Sequence, residues 1–148
     1  MIRQAELKDL DVCIDLAIEF FKPFLDKHHI PLNKEDLRKT AEQSIIAQKA
    51  LVIEHNKEVQ GVASWFVTNH PANFGIKIFY ETIWCIKSNF KTDVLLLLRA
   101  LEAKAKEVNA DLILIANLSN ERENQLRRIF CKRGFSFLET HYSKKIGD

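Results

Sequence analysis

Glycine is scarce in this chain: there are four in 148 residues, and none lies between Gly75 and Gly134. The 76–133 stretch therefore lacks the residue that most readily lets a backbone close on a phosphate. With only three prolines, no proline-rich linker or low-complexity tract divides the sequence. The three cysteines, Cys13, Cys85 and Cys131, are too scattered for a disulfide framework or a zinc knuckle. Each falls within an expected helix or strand, where a small buried thiol is ordinary, and a reducing, cytoplasmic setting is expected. Basic and acidic side chains, 22 against 20, nearly cancel, which argues against a nucleic-acid partner. No apolar run approaches the roughly 20 residues of a membrane helix. The start MIRQAELKDLDVC is charged from the outset, unlike a secretory signal peptide. His28, His29, His55 and His70 fall in expected loops or turns without metal-ligand spacing, so no metal site is expected.

What is present is ordinary for one globular domain spanning 1–148: 47% apolar and 28% charged residues. The periodicity predicts the order β-α-α-β-β-β-α-β-α-β. Ile2–Ala5 read as a short strand. Asp9 is placed to cap a helix with Leu10, Cys13, Ala17, Phe20, Phe21 and Phe24 at helical spacing. Asn33 and Asp36 open a second helix striped by Leu37, Ala41 and Ile45. Two β-rich runs flank His55-Asn56-Lys57-Glu58 as a hairpin. A loop through Pro71 and Gly75 leads into the aromatic strand IKIFYETIWCI.

A third helix then carries Val94, Leu97, Leu98, Leu101, Ala105 and Val108. DLILIA reads as a strand covered on both faces. A last helix starts near Asn120 and ends at Gly134, a good left-handed cap, and FSFLETHYSKKI closes the sheet.

This order, the strand–turn–helix over 83–108 and the ending LRRIFCKRGFSFLETHYSKKI together resemble the GNAT superfamily of N-acetyltransferases, most of all its phage and prophage branch. The likeness covers the whole chain as an order of elements, with motif-level agreement confined to about its last third. It implies an α/β fold with a mixed, mostly antiparallel sheet flanked by about four helices. It also implies transfer of an acyl group from acetyl-CoA to an amine of a small molecule or protein, in the host cytoplasm if phage-encoded. The superfamily's cofactor motif falls on Asn89, Phe90, Lys91, Thr92, Asp93 and Val94, and every defining position differs. Thr92 and Val94 put a Cβ where glycines let N–H groups approach the pyrophosphate, and Asp93 adds a negative charge. The helix start keeps unpaired N–H groups and about half a positive charge, so weak binding is expected. The same residues also read as a plain helix cap, with Thr92 or Asp93 capping α-helix N–H groups.

The resemblance further implies backbone pairing of the pantetheine arm with Cys85 and Ile86, and Asn117 as a partner for the cofactor amide. The position of the usual acid, a tyrosine, is Phe130, which has no proton to give; as an apolar helix position it also reads as core. Tyr142 or His141 in the last strand is a substitute if the sheet brings it near. Glu81 is the candidate base, because members of the superfamily often hold a carboxylate on this strand; desolvation between Tyr80 and Trp84 would raise its proton affinity, which suits a base. The competing reading of Glu81 is a solvent-facing residue beside Lys77. An alternative function is a catalytically eroded binding or structural protein on the same fold. The run Leu95–Leu98 is wider than one helix face, which allows a homodimer.

Overall fold

The computed structural model describes residues 1–87, 93–116 and 123–147. They form two compact units, Met1–Ile115 and Ala116–Asp148. In the first, β1 (Ile2–Gln4) and a 3-10 turn (Leu7–Asp9) precede α1 (Leu10–Lys27) and α2 (Lys34–Ile46). Then come β2 (Ala50–His55), β3 (Glu58–His70), β4 (Asn73–Ile86), α3 (Val94–Glu107) and β5 (Leu112–Leu114). The second unit holds α4 (Glu123–Lys132). The sheet runs β1-β2-β3-β4-β5, antiparallel through β4, with β5 joining β4 in parallel. This is the mixed, mostly antiparallel α/β fold that the sequence order implied. Among the described residues no helix is long and apolar enough to cross a membrane.

Strand alternation sends side chains to opposite faces of the sheet, and each face has its own core. Val52 and Val62 meet Leu10, Cys13, Leu16 and Ile45 of α1 and α2. Leu51, Ile53, Ala63, Trp65 and Phe79 meet Leu97, Leu101 and Ala105 of α3. The expected helix stripes therefore supply the buried faces. Leu95 and Leu96 remain exposed, while Leu97 and Leu98 are fully buried.

Local chemistry explains the boundaries. Asn33 caps α2 by accepting from the N–H groups of Glu35 and Asp36 at 3.0 and 3.2 Å. The β2–β3 turn has positive φ at Asn56 (51°) and Lys57 (67°), with His55 paired to Glu58. That is the mirror-image turn whose twist matches two antiparallel strands. Gly134 ends α4 at φ 87°, with the Phe135 N–H donating to Phe130 O at 3.0 Å.

Several expectations are corrected. The turn between β3 and β4 is much tighter than a loop through Pro71 and Gly75, because β4 begins at Asn73 and includes Gly75. β5 is a three-residue strand with Leu112 exposed, and among the described residues it pairs only with β4. Residues 135–147 contain no strand. A strand is defined by its ladder, and Phe137, Leu138 and Ile146 are exposed. Asn120 lies outside the described residues.

Asp9 makes no side-chain cap on α1. Its carboxylate instead accepts from both Arg3 guanidinium ends, at 2.7 and 2.9 Å, and from the Glu6 N–H at 2.8 Å. Arg3 also reaches Glu54 at 2.6 Å, so one cation ties β1, β2 and the start of α1 together. The Arg3 hydrogen bonds hold the Asp9 carboxyl below the usual carboxylate range, against the opposing effect of burial, with the Glu6 N–H adding to the lowering.

A carboxyl depressed in the folded state stabilises fully above its unfolded pKa, about 3.9, and loses that contribution as pH falls through its folded value. Asp9→Asn is therefore expected to cost about 1–3 kcal/mol at pH 7. It should also flatten the fall in stability below about pH 4. Urea unfolding of both proteins from pH 7 to pH 3 measures the two effects.

Candidate active site

The site is built around an irregularity in β4. Ser64 pairs with Ile83 and Trp65 with Glu81, so Thr82 is an extra residue on β4. Such a bulge resets the alternation of the strand. Before it, Phe79 and Glu81 face α3, with Glu81 directly opposite Trp65. After it, Trp84 and Ile86 pack on the α3 face, while Cys85 packs on the α1–α2 face. Thr82 and Ile83, although consecutive, both line the α1–α2 side.

Glu81 is 3% exposed. The expectation of a buried carboxylate in the aromatic strand holds, and the solvent-facing reading is corrected. Lys77 is engaged elsewhere, its ammonium donating to Val108 O at 2.9 Å.

Just before the bulge, β4 loses a neighbour. Its parallel pairing with β5 runs Ile78–Leu112, Phe79–Ile113 and Tyr80–Leu114 and ends there, whereas β4 continues to Ile86. Among the described residues no strand pairs with β4 on that side from Glu81 onward. An unpaired edge presents a row of N–H and C=O groups, to which an extended ligand can add as a strand.

Cys85 and Ile86 lie on this edge, paired on the other side with Val62 and Gly61. Gly61 makes that pairing possible. A Cβ there would stand 2.9 Å from Cys85 O, and 3.2 and 3.3 Å from Ile53 and Ile86 side chains. Any larger residue must push the end of β4 outward.

Asn89, Phe90, Lys91, Thr92 and Asn117 lie outside the described residues. Asp93 and Val94 begin α3. Asp93 stands at the N-cap but makes no side-chain cap bond, which corrects its reading as a plain cap. Its carboxylate Oδ2 lies 2.5 Å from His55 Nε2 at the end of β2. With an ionised carboxylate the ring N–H is the donor. Asp93 is 5% exposed, so its charge is turned into a contact with the β2–β3 hairpin. The sequence placed His55 in a turn, and nothing local to it signals a partner at position 93.

In the second unit, Phe130 is half-buried and stacks obliquely on Phe135, ring centroids 5.7 Å apart, in keeping with a packing role. Tyr142 is 94% exposed on the segment after α4.

A cavity of about 340 Å³ opens on the α1–α2 face of β3 and β4. Phe21 of α1, Leu37 and Ile45 of α2, Val62 and Phe66 of β3 and Ile83 of β4 line it. At the bulge, Ser64 and Thr82 place their hydroxyls 2.6 Å apart on its wall. Sequence reading missed this pair, because a bulge leaves no mark in an alternating aromatic strand.

The thiols near the site are poor nucleophiles. Burial pushes the Cys13 thiol up to about 12, with Asp9 adding to the rise. Burial, then the charge of Glu19, pushes Cys85 up to about 11. At neutral pH both stay protonated, so neither is suited to carry an acyl group as a thioester.

Neither a family model nor a curated protein matches the sequence. Solved structures do. The chain is similar to a probable acetyltransferase, at 15% identity with a TM-score of 0.73, covering 100% of this chain and 99% of that one. It is similar to glucosamine-6-phosphate N-acetyltransferase from Arabidopsis thaliana at 14% identity, TM-score 0.72, covering 99% and 97% of the two chains. An aminoglycoside acetyltransferase from an uncultured soil metagenomic sample matches at 12% identity, TM-score 0.70, covering 99% and 98%. At such identities the likeness establishes the fold, and that fold is the one these acetyltransferase structures share.

The thiol assignments have a direct check. In native protein at pH 7.5 an aromatic disulfide reagent should modify Cys131 first, since it is exposed. Buried Cys13 should react only after denaturation, and half-buried Cys85 far more slowly than Cys131. Native labelling of Cys85 as fast as that of Cys131 would contradict its packing against the α1–α2 face.

Proposed function

We propose that this chain is an acyltransferase that moves the acyl group of acetyl-CoA to an amine. The observation that carries the reading is the early end of the β5 ladder: it stops at Tyr80 while β4 runs on through Cys85 and Ile86, and the buried carboxylate of Glu81 stands where β5 departs. Likeness in fold to acetyltransferase structures supports it. The fit to acetyl-CoA is one of backbone: a strand that runs on past its ladder suits an extended amide-bearing arm whatever the side chains are. Gly61 holds that edge in place by admitting Cys85 O at close range.

Bound there, acetyl-CoA supplies an acyl thioester, whose carbonyl carbon is the electrophile. The chain's part is to hold the arm along Cys85 and Ile86, to orient the amine, and to receive a proton. An amine attacks only when neutral, so Glu81 is assigned as the base that takes the ammonium proton, directly or through a water. Its place among Trp65, Phe79 and Trp84 keeps bulk water from competing for that proton. Burial holds the Cys85 thiol protonated at neutral pH, which favours direct transfer from thioester to amine over an acyl-cysteine intermediate. From the resemblance, Asn117 is a proposed partner for the cofactor amide; Tyr142, on a segment that forms no strand, lacks the sheet placement on which its role as proton donor depended. The phage-branch origin is likewise a proposal from resemblance.

One observation favours the second reading, a non-catalytic protein on the same fold. Phe130 occupies the position where the superfamily often keeps its acid, and it is engaged in packing against Phe135. The two readings part on turnover. Free CoA, measured chromatographically after incubation with acetyl-CoA and a panel of amines, should exceed the amine-free rate with at least one acceptor. Glu81→Gln should lower kcat by about 10²-fold or more with the fold intact, as expected for loss of a general base. No amine-dependent release at saturating acetyl-CoA would favour the non-catalytic reading.

A further inference from the structure

The cavity on the α1–α2 face has a chemical character that the fold alone does not dictate. Its volume of about 340 Å³ is at the small end of ligand pockets, which run from about 300 to 1,000 Å³. That is room for one ring or a branched chain, not for an oligosaccharide. Its walls are carbon: Phe21, Leu37, Ile45, Val62, Phe66 and Ile83 contribute from four elements. Phe66 is 40% exposed and stacks on Tyr80, centroids 5.0 Å apart and planes 14° from parallel. It therefore presents an aromatic edge at the solvent side of the lining.

The polar groups are mostly committed. Thr40 and Ser44 hydroxyls donate to carbonyls of their own helix, at 3.0 Å each. Ser64 and Thr82 bond to each other, so one hydroxyl of that pair keeps a proton to give. Among the described lining residues there is no carboxylate, and the only charged side chain is the exposed Lys49.

We infer that this cavity receives the uncharged, aromatic or branched apolar body of a monoamine, whose ammonium end stays outside the cavity at its solvent-open side. The inference rests on the acyltransferase reading only for calling that monoamine the acceptor. The argument is one of desolvation. An ammonium buried among carbons without a carboxylate loses its hydration for nothing in return. A polyamine or aminoglycoside brings several such charges. A sugar phosphate brings hydroxyls and a dianion to a wall that offers one hydroxyl proton, the Gln43 amide and one solvated lysine. An apolar body loses nothing on entering and gains by leaving water.

By turning Thr82 and Ile83 to the same side, the bulge makes the floor of the cavity, while Glu81 lies on the other face of the sheet.

Binding separates this proposal from the transferase reading. 2-Phenylethylamine, spermidine and glucosamine 6-phosphate are each titrated into the full chain, followed by heteronuclear NMR, with CoA release measured in parallel. The expected result is saturable shifts from 2-phenylethylamine centred on residues of α1, α2 and the β4 bulge, and none from the other two. Ala17→Leu and Ala41→Leu, which fill the cavity from two helices, should each weaken it at least tenfold. Thr82→Val, which replaces a hydroxyl by a methyl at equal size, should leave its affinity unchanged or raise it several-fold. That third variant keeps the test decisive if a filling variant fails to fold.

Saturation by spermidine or glucosamine 6-phosphate at these residues would overturn the proposal. Loss of 2-phenylethylamine binding in Thr82→Val, or no binding of it at all, would do the same. Saturable 2-phenylethylamine without CoA release supports the cavity assignment and removes only the transferase reading.

Discussion

Everything assigned to the site depends on one extra residue in β4. Were Thr82 not bulged, the strand would alternate strictly, and Ile83 would share a face with Glu81. Instead Glu81 lies with Trp65 and Phe79 on the α3 side, while Thr82 and Ile83 share the other. The end of the β5 pairing falls at Tyr80, two residues earlier. Three features meet beside this break in register within a few residues of chain: a buried carboxylate, the end of the β5 ladder and the floor of a cavity. Bulges commonly re-aim a side chain, and Ile83 is re-aimed here while the β3–β4 ladder continues to Ile86.

The remainder of the first unit holds that segment still. Gly61 lets β3 lie close against Cys85 and Ile86 on one side of β4. Arg3, shared between Asp9 and Glu54, locks β1 and β2 to the start of α1. His55 bonds Asp93 and so ties the first turn of α3 to the β2–β3 hairpin. That last contact changes the meaning of the acidic residue at the helix start. A free carboxylate there would repel a pyrophosphate, but one buried against a histidine presents less of its charge to any anion nearby.

Much of this architecture was legible in the sequence, because it depends on period and local chemistry. The stripes of α1, α2 and α3, the hairpin turn at Asn56-Lys57, the Asn33 cap and the Gly134 cap are all short-range signals. What escaped depends on pairs far apart in sequence. Asp9 looked like a helix cap until Arg3 and Glu54 were beside it, and His55 looked like a loop residue until Asp93 was its partner. The alternating FSFLETHYSKKI has the pattern of a strand, yet pattern does not supply a ladder partner. Glu81 was reached from the sequence through the family resemblance, which expects a carboxylate on this strand. The bulge that gives it its setting was not, since adding one residue leaves such a run looking the same.

The central claim is that the β4 edge from Glu81 to Ile86 is where an extended cofactor arm is held. Amide hydrogen exchange of the full chain, with and without saturating acetyl-CoA, tests it most directly. The account predicts that amides within 81–87 become markedly slower to exchange on addition, while those of β1 and β2 do not change. Exchange in 81–87 that is the same with and without acetyl-CoA would contradict it.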